Sequence, residues 1–360
     1  MKFINDFRDR ELCETLLERI HKEAVREITI MEVCGGHTMA LHRFGIPALL
    51  PNTITLLSGP GCPVCVTGRG FIDHAIGLSM RDQTMVCTYG DLIRVPGSES
   101  TLEKAQADGA NVRIVYSPLQ CIEMAAQDPE TNHVFLGIGF ETTAPASAVA
   151  LQKANELGLK NFFLYSAHKI MPPAMAAIIH EGVKVDAYLC PGHVSTISGT
   201  KMYEPLVDQF GVGCVVSGFE PLDLLQSILM LVQQQENKNA AVEIQYTRAV
   251  KSQGNVKAQQ ILNQVFEPCD AWWRGLGILA NSGLKPSANY KGFDASVVYG
   301  LSTNEPADPT GCRCGDVLKG LLKPTECKLF RKTCTPANPI GACMVSAEGA
   351  CQSFFRYANS

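Results

Sequence analysis

The hydrophobic positions between residues 27 and 250 fall into eight short runs that are rich in β-branched residues. Each run is predicted to be a strand, and helix-like segments rich in alanine, leucine and glutamate lie between the runs. The predicted strands are 28–33, 53–57, 84–87, 112–116, 133–138, 161–165, 185–189 and 213–216. Strands that alternate with helices are typical of βαβ units, so we predict an α/β fold with mostly parallel sheets. Several runs are apolar throughout, as expected where helices cover both faces of a sheet.

The pattern divides the 360 residues into three predicted domains, since a chain of this length exceeds the usual size of one core. Two doubly wound parallel-sheet domains are assigned to residues 24–130 and 131–250. After residue 250 the periodicity weakens and the chain becomes rich in glycine, proline and cysteine. We predict that residues 251–360 form a smaller, loop-rich, mainly helical domain, to which the helix of residues 1–23 is added.

Charge and hydropathy exclude several classes of protein. The net charge is −4 and no basic block stands out, so nucleic acid is not an expected partner. No apolar run is long enough to span a bilayer, and the first residues do not resemble a signal peptide. We therefore expect a cytoplasmic protein with no membrane partner.

The fifteen cysteines are the unusual feature of the composition. In a reducing compartment such thiols serve metal binding and redox chemistry more often than structural disulfides. Isolated cysteines are frequently buried as small apolar residues. We interpret six in this way: Cys13, Cys87, Cys121, Cys190, Cys214 and Cys269.

Chemically reactive residues follow directly after the predicted strands. The segments are 34–37, 59–65, 89–91, 139–143, 166–169 and 191–193. Parallel sheets place their sites at the carboxyl ends of strands, so these segments are predicted to share a cleft. Glu141 and His193 are candidates for proton transfer there, although such residues are as often structural hydrogen-bonding groups.

Cys34 and His37 form the first candidate group. Cys34 stands before two glycines at the expected start of a helix, where backbone amides favour the thiolate form that binds metal. Alternatively, the glycines shape the turn and His37 caps it. Cys62 and Cys65 form a second group, whose spacing suits a reversible disulfide or two ligands of a metal. Since the chain has no other CxxC, a redox pair is preferred over zinc.

Six cysteines form the third group, in the glycine- and proline-rich sequence after residue 310. They are Cys312, Cys314, Cys327, Cys334, Cys343 and Cys351. Four thiolates are the usual ligands of an iron–sulfur cluster, and zinc bound by four thiolates is the competing interpretation. Spacing alone does not select four of the six.

Together these motifs resemble the HypD family of [NiFe]-hydrogenase maturation proteins. The segments that carry the resemblance are 32–38, 59–66, 139–145, 191–194, 311–318 and 343–349. It implies two α/β domains and a third that carries a [4Fe-4S] cluster. It also implies a redox-active scaffold, rather than a conventional turnover enzyme, that helps to assemble the Fe(CN)2CO group of the hydrogenase. The protein would be a monomer that acts in hetero-complexes. A HypC-type chaperone would bind the iron together with it, and a HypE-type protein would donate the cyanide.

The resemblance also implies roles for individual residues. Cys34 would hold the transient Fe(CN)2CO iron, and Cys62 and Cys65 would form the redox pair. The cluster ligands carried over from the family are Cys312, Cys327, Cys334 and Cys351, while the roles of Cys314 and Cys343 stay open. Two alternatives remain: an iron–sulfur-dependent thiol–disulfide oxidoreductase that acts on protein disulfides, and a zinc-stabilised binding module without chemistry.

Overall fold

The computed structural model of the chain describes residues 6–358, which form eleven strands and fifteen α-helices. The strands are β1 (Ile28–Glu32), β2 (Ile54–Ser58), β3 (Thr84–Thr88), β4 (Val112–Ile114), β5 (Asn132–Gly139), β6 (Phe162–His168), β7 (Ala187–Pro191), β8 (Gly213–Ser217), β9 (Val242–Ile244), β10 (Phe266–Trp273) and β11 (Gly277–Pro286). The helices are α1 (Arg10–Glu23), α2 (Gly35–Arg43), α3 (Pro63–Val66), α4 (Arg69–Ser79), α5 (Leu102–Ala107), α6 (Pro118–Gln127), α7 (Ala144–Glu156), α8 (Met171–His180), α9 (Gly192–Ser198), α10 (Glu204–Phe210), α11 (Pro221–Asn237), α12 (Val256–Val265), α13 (Ala295–Val298), α14 (Cys314–Leu318) and α15 (Ala350–Tyr357). Single 3₁₀ segments lie at Asp6–Arg8, Ile46–Ala48, Gly90–Leu92, Lys201–Tyr203, Ala288–Phe293, Pro324–Glu326 and Ala342–Met344.

Two parallel sheets with flanking helices make up the α/β part of the molecule. The five-stranded sheet has the order β2-β1-β7-β8-β9, and the four-stranded sheet has the order β4-β3-β5-β6. All eight predicted strands are present, and the predicted α/β class with two doubly wound parallel sheets is confirmed. The short strand β9 at the edge was not predicted.

The predicted division near residue 130 does not separate the two sheets. The chain forms β1 and β2, leaves to build the whole four-stranded sheet from β3 to β6, and then returns to add β7, β8 and β9 beside β1. The assignments 24–130 and 131–250 therefore each contain strands of both sheets. Pairing of β1 with β7 joins residues that lie far apart in sequence, and strand periodicity carries no information on such pairing.

Helix α1 packs on the five-stranded sheet and not on the carboxyl-terminal region to which it was assigned. Its apolar residues recur every three or four positions, so they share one face of the helix. Ile20 lies in one apolar cluster with Leu224, Ile228 and Leu231 of α11, and Leu16 and Leu17 pack against that cluster. The helix covers an outer face of this sheet because α11 leaves an apolar surface there.

The chain after residue 250 contains an antiparallel hairpin in addition to the predicted helix near residue 256. Strands β10 and β11 form this hairpin, which packs on β6 and α8. The sequence from residue 300 to 349 is loop-rich, as predicted, and the final helix α15 packs on α2. Among the helices of residues 6–358, none combines the length and the apolar character needed to cross a membrane.

Candidate functional site

Cys34 lies where strand β1 ends and helix α2 begins, and three chain segments meet around it. The amide of Gly35 donates a hydrogen bond of 3.0 Å to the carbonyl of Gly61 in the loop after β2. A side chain on Gly61 would overlap the backbone of Cys34, and one on Gly35 would overlap Glu348. Glycine is required at both positions because only a residue without Cβ permits this approach.

Cys62 and Cys65 follow Gly61 directly and are joined by a disulfide bond. Both are buried, with 3% and 0% of their surfaces exposed, and the amide of Cys65 donates to Sγ of Cys62 at 3.2 Å. The pair occupies the start of the short helix α3. The structure thus places the CxxC beside the Cys34 turn, as predicted from the position of both segments directly after strands of a parallel sheet. The redox role of the pair stays a prediction.

The surroundings of Cys34 favour the neutral thiol. Burial raises the pKa of Cys34 to about 12, and the carboxyl groups of Glu348 and Glu32 act in the same direction. Hydrogen bonds from the amides of His37 and Gly36 act in the opposite direction and do not outweigh burial. This direction is opposite to the thiolate expected at Cys34, and the thiolate form stays a prediction. A metal ion would have to displace the thiol proton when it binds.

Glu32, at the end of β1, is a buried residue that opens the motif of residues 32–38 and to which the sequence analysis assigned no role. Its Oε2 accepts a hydrogen bond of 3.1 Å from the amide of Cys34, and its Oε1 accepts one of 2.5 Å from the hydroxyl of Thr38. Burial raises the pKa of Glu32 to about 8. The carboxyl group ties the Cys34 turn to the first turn of α2. The sequence does contain a signal for the burial of Glu32. Glu32 follows Ile28 and Ile30 at every second position along β1, so the three side chains point to the same buried face of the strand.

His37 and His193 both contact the ring of Phe219, a second residue that sequence reasoning missed. His37 is fully buried, its Nε2 donates to the carbonyl of Ser217 at 3.3 Å, and its Nδ1 has no partner among the described residues. Burial lowers the pKa of His37 to about 4, so the imidazole is neutral. His193 is exposed and stacks on Phe219 with 4.0 Å between ring centroids.

Glu141 lies at the carboxyl end of the four-stranded sheet, apart from the hydrogen bonds of the Cys34 turn. Its Oε1 accepts the amide of Met171 at 3.1 Å, whereas its Oε2 has no partner among the described residues. Burial raises the pKa of Glu141 to about 7. No hydrogen bond in residues 6–358 connects Glu141 with Cys34 or His193. The structure therefore does not join all six predicted reactive residues into one group.

Five of the six carboxyl-terminal cysteines line a single cavity. They are Cys312, Cys314, Cys327, Cys334 and Cys351, and the apolar residues Val317, Leu329, Phe330 and Met344 complete its wall. A Cβ on Gly341 would lie 2.6 Å from Sγ of Cys312, so glycine leaves the room that this sulfur occupies. Within residues 6–358, no three His, Cys, Asp or Glu side chains are arranged to hold a single metal ion.

These residues fit an iron–sulfur cluster by the chemistry of their donors. All four predicted ligands lie on the wall of the cavity, together with Cys314 as a fifth thiol. Cys343 does not line the cavity; it is fully buried and hydrogen-bonds with the thiols of Cys314 and Cys351. Hydrogen bonds with the thiols of Cys314 and Cys343 lower the pKa of Cys351 to about 6, which favours its thiolate form.

Arg274 connects the CxxC with the cysteine-rich segment, and no sequence motif had marked it. It follows the hairpin strand β10 and is only 2% exposed. Its Nε donates to the carbonyl of Cys65 at 2.9 Å and its Nη2 to that of Thr67 at 2.8 Å. The guanidinium also pairs with Asp308, which stands shortly before Cys312. A buried arginine thus holds the end of α3 against the loop that leads to the thiol cavity.

Comparison with known proteins places this geometry in a family. The sequence model of HypD, described as "Hydrogenase formation hypA family", matches residues 11–358. The chain belongs to the HypD family of hydrogenase maturation factors. It is 44% identical to the hydrogenase maturation factor HypD of Azotobacter vinelandii, over 99% of this chain and 97% of that protein. It is 41% identical to HypD of Escherichia coli strain K12 over 99% and 98% of the two chains, and 42% identical to HypD of Cupriavidus necator over 99% and 97%.

The resemblance seen in the sequence motifs is therefore confirmed over nearly the whole chain. The matched residues include the Cys34 turn, the CxxC and the thiol cavity. The comparisons establish that the chain is a hydrogenase maturation factor. They assign no chemical role to an individual site.

Proposed function

We propose that the chain holds an iron ion at Cys34 while the Fe(CN)2CO group of a [NiFe]-hydrogenase is assembled. A HypC-type chaperone supplies a further ligand to this iron, and a HypE-type protein supplies the cyanide. The observation that supports the proposal is the meeting of three segments at Cys34: its own turn, the loop that carries the Cys62–Cys65 disulfide, and the segment of Glu348. A partly exposed thiol lies beside a buried disulfide, and this neighbourhood supports metal binding and redox chemistry at one position.

The thiol cavity is proposed to hold a [4Fe-4S] cluster. Its ligands are Cys312, Cys327, Cys334 and Cys351, and Cys314 is the alternative because it lines the same wall. A bound cluster supplies electrons one at a time.

The other proposed roles belong to the side chains around Cys34 and the CxxC. The Cys34 thiol gives up its proton when iron binds, and Glu32 keeps the turn in place through the Cys34 amide. Reduction of the Cys62–Cys65 disulfide consumes two electrons and two protons and yields two thiols. Arg274 keeps this pair next to the segment that leads to the cavity. Burial of the pair, at 3% and 0% exposure, protects it from bulk thiols.

Anaerobic purification with the HypC-type partner tests the proposal. We expect about four irons per chain for the cluster and cyanide and carbonyl stretching bands in the infrared spectrum of the complex. A complex with cluster iron that lacks these bands, while cyanide supply is intact, would contradict the role of Cys34. Zinc in place of iron in anaerobic preparations would contradict both parts.

The observed Cys62–Cys65 disulfide also favours a second candidate function, a thiol–disulfide oxidoreductase that acts on protein disulfides. The burial of both sulfur atoms weighs against it, because a protein substrate must reach one of them. Turnover of a disulfide-bonded protein substrate by the cluster-loaded protein, unchanged in a Cys34→Ser variant, would support this second function over the first.

A further inference from the structure

The ring of Phe219 lies at the centre of a group of residues from three different strand ends. Phe219 follows β8, whereas His37 follows β1 and His193 follows β7. The centroid of the Phe219 ring is 4.7 Å from that of His37 and 4.0 Å from that of His193, with interplanar angles of 33° and 26°. One phenyl ring therefore contacts both imidazoles of the candidate site.

A glycine precedes each of the two histidines, and both glycines lie close to the Phe219 ring. A Cβ on Gly36 would lie 3.0 Å from Cε1 of Phe219 and 3.7 Å from Sγ of Cys34. A Cβ on Gly192 would lie 3.3 Å from Cε2 of Phe219. The ring is the nearest neighbour of a side chain at position 36, which is also in contact range of the Cys34 sulfur. At position 192 it adds to the closer contacts with the carbonyl of Ser217 and with the ring of Tyr246, the latter at 2.9 Å.

Phe219 also packs against Tyr246, which follows β9. The ring of Tyr246 meets it edge-on at 6.0 Å, and the carbonyl of Ser217, two residues earlier, accepts the hydrogen bond from His37. A phenylalanine that served only the core would be expected to lie deep among aliphatic residues. Phe219 is instead partly exposed, and its nearest aromatic neighbours are the two histidines.

We propose that Phe219 is a positioning residue of the iron site. Its ring orients the exposed imidazole of His193 and closes the pocket around His37, so that both histidines keep a fixed place beside Cys34. The inference rests on the proposed function, because it concerns the same site. Stacked aromatic pairs contribute a modest, geometry-dependent stabilisation, which is sufficient to select one orientation of an exposed imidazole.

Two variants and a matched control test this role. Phe219→Leu removes the ring and keeps the apolar volume near its original size, whereas Phe219→Tyr keeps the ring. Phe210→Leu is the control, since Phe210 is also partly buried and contacts an exposed histidine, His180, at 5.0 Å on a different part of the surface. Thermal unfolding of each variant shows whether the leucines cost similar stability.

The first readout is the NMR spectrum of the histidine rings, assigned with His193→Gln. In Phe219→Leu we expect loss of the ring-current shift of the His193 protons, and in Phe219→Tyr we expect it to persist. The second readout is the fraction of chains that carry cyanide-ligated iron in the complex with the HypC-type partner. It should fall several-fold, up to about tenfold, in Phe219→Leu, as loss of an aromatic pair permits, and stay near the wild-type level in the other two variants.

The outcomes separate the inference from the function on which it rests. Wild-type protein that carries the infrared bands, together with normal loading of Phe219→Leu, would overturn the positioning role alone. Equal loss of loading in Phe210→Leu would also overturn it, because the effect would then be one of general stability. Wild-type protein without the bands would overturn the proposed function itself.

Discussion

The carboxyl ends of the two parallel sheets carry similar residues that have different surroundings. In the five-stranded sheet, β1 leads to Cys34, which is partly exposed, and β7 leads to His193, which is exposed. In the four-stranded sheet, β5 and β6 lead to Glu141, His168 and Lys169, each at most 6% exposed. A reactive residue at a strand end is therefore a candidate only, and its accessibility depends on what packs over that edge.

The triplet Gly-Phe-Glu shows the difference within a single motif, because it follows both β5 and β8. Phe140 of the first copy is 5% exposed and stacks on Trp273 of the hairpin at 6.0 Å. Phe219 of the second copy is partly exposed and contacts His37 and His193. The same local sequence thus serves the core at one sheet and the candidate site at the other.

The hairpin of β10 and β11 is the cause of the difference. It covers the end of the four-stranded sheet, where Nζ of Lys169 donates to the carbonyl of Trp272 at 2.7 Å and the amide of Ile170 donates to Ser282 at 2.9 Å. Burial lowers the pKa of Lys169 to about 8. The hairpin thus engages Lys169 and Ile170 in structural contacts and keeps this edge buried, although Oε2 of Glu141 has no partner among the described residues.

The largest effect is expected in iron loading, when a cysteine at the end of the five-stranded sheet is compared with one in the four-stranded sheet. Cys34→Ser should abolish the cyanide and carbonyl bands of the complex, because a hydroxyl is a poor ligand for low-valent iron. Cys87→Ser, at a fully buried position in β3, should cost about 1–3 kcal/mol of stability by burying a hydroxyl, with loading retained. Infrared spectroscopy and denaturant unfolding of both variants check this contrast. Equal loss of the bands in the two variants would remove the distinction between the sheet ends.

Arg274→Met should give the next largest effect, since Arg274 joins the hairpin to the CxxC. The change leaves the carboxylate of Asp308 and the carbonyl groups of Cys65 and Thr67 without their partner. Loss of one partner from a buried ion pair costs about 3–5 kcal/mol. The control is Arg10→Met, because Arg10 forms an exposed pair with Glu14 that is worth at most about 1 kcal/mol. Chemical denaturation that shows similar losses for both variants would contradict this role of Arg274.

Glu141→Gln should change how stability depends on pH. The pKa of Glu141 is raised from 4.5 to about 7, so between these values the folded protein binds a proton that the unfolded chain has released. Stability therefore falls as pH rises through this window, by at most about 3 kcal/mol from this group. The variant should show a shallower fall in unfolding free energy between pH 5 and 8, with the contribution of Glu32 remaining. An unchanged slope would show that Glu141 ionises as it does in the unfolded chain.

A comparison of two histidines should give the smallest effect. His168→Ala leaves the hydroxyl of Ser147, now 2.8 Å from Nε2 of His168, buried without a partner. The loss should be about 1–3 kcal/mol of unfolding free energy. His193→Ala should change stability by at most about 1 kcal/mol, because the side chain is exposed and loses only its stacking on Phe219. Its effect should appear instead in iron loading, and a large loss of stability in this variant would contradict its assignment to the site.

Much of the architecture followed from local pattern. Eight strands, the parallel α/β class and the three groups of cysteines were predicted from the spacing of apolar residues and from motifs. Glu32, Phe219 and Arg274 were not predicted, although each contacts a candidate residue. Glu32 opens the motif of residues 32–38 but was given no role, whereas Phe219 and Arg274 lie in sequence that no motif marks, so the roles of all three depend on which segments meet.

Local sequence determines whether a stretch forms a strand or a helix, because backbone periodicity and side-chain burial act over a few neighbouring positions. It also determines which residues are chemically able to bind metal. The order of strands in the two sheets, the docking of α1 on α11 and the cover over the four-stranded sheet depend on contacts between distant segments. Such contacts are chosen by the fit of whole surfaces, which short patterns do not encode. The Cys34 site exists for that reason: glycines at 35 and 61 allow two distant segments to pack against the Cys34 turn.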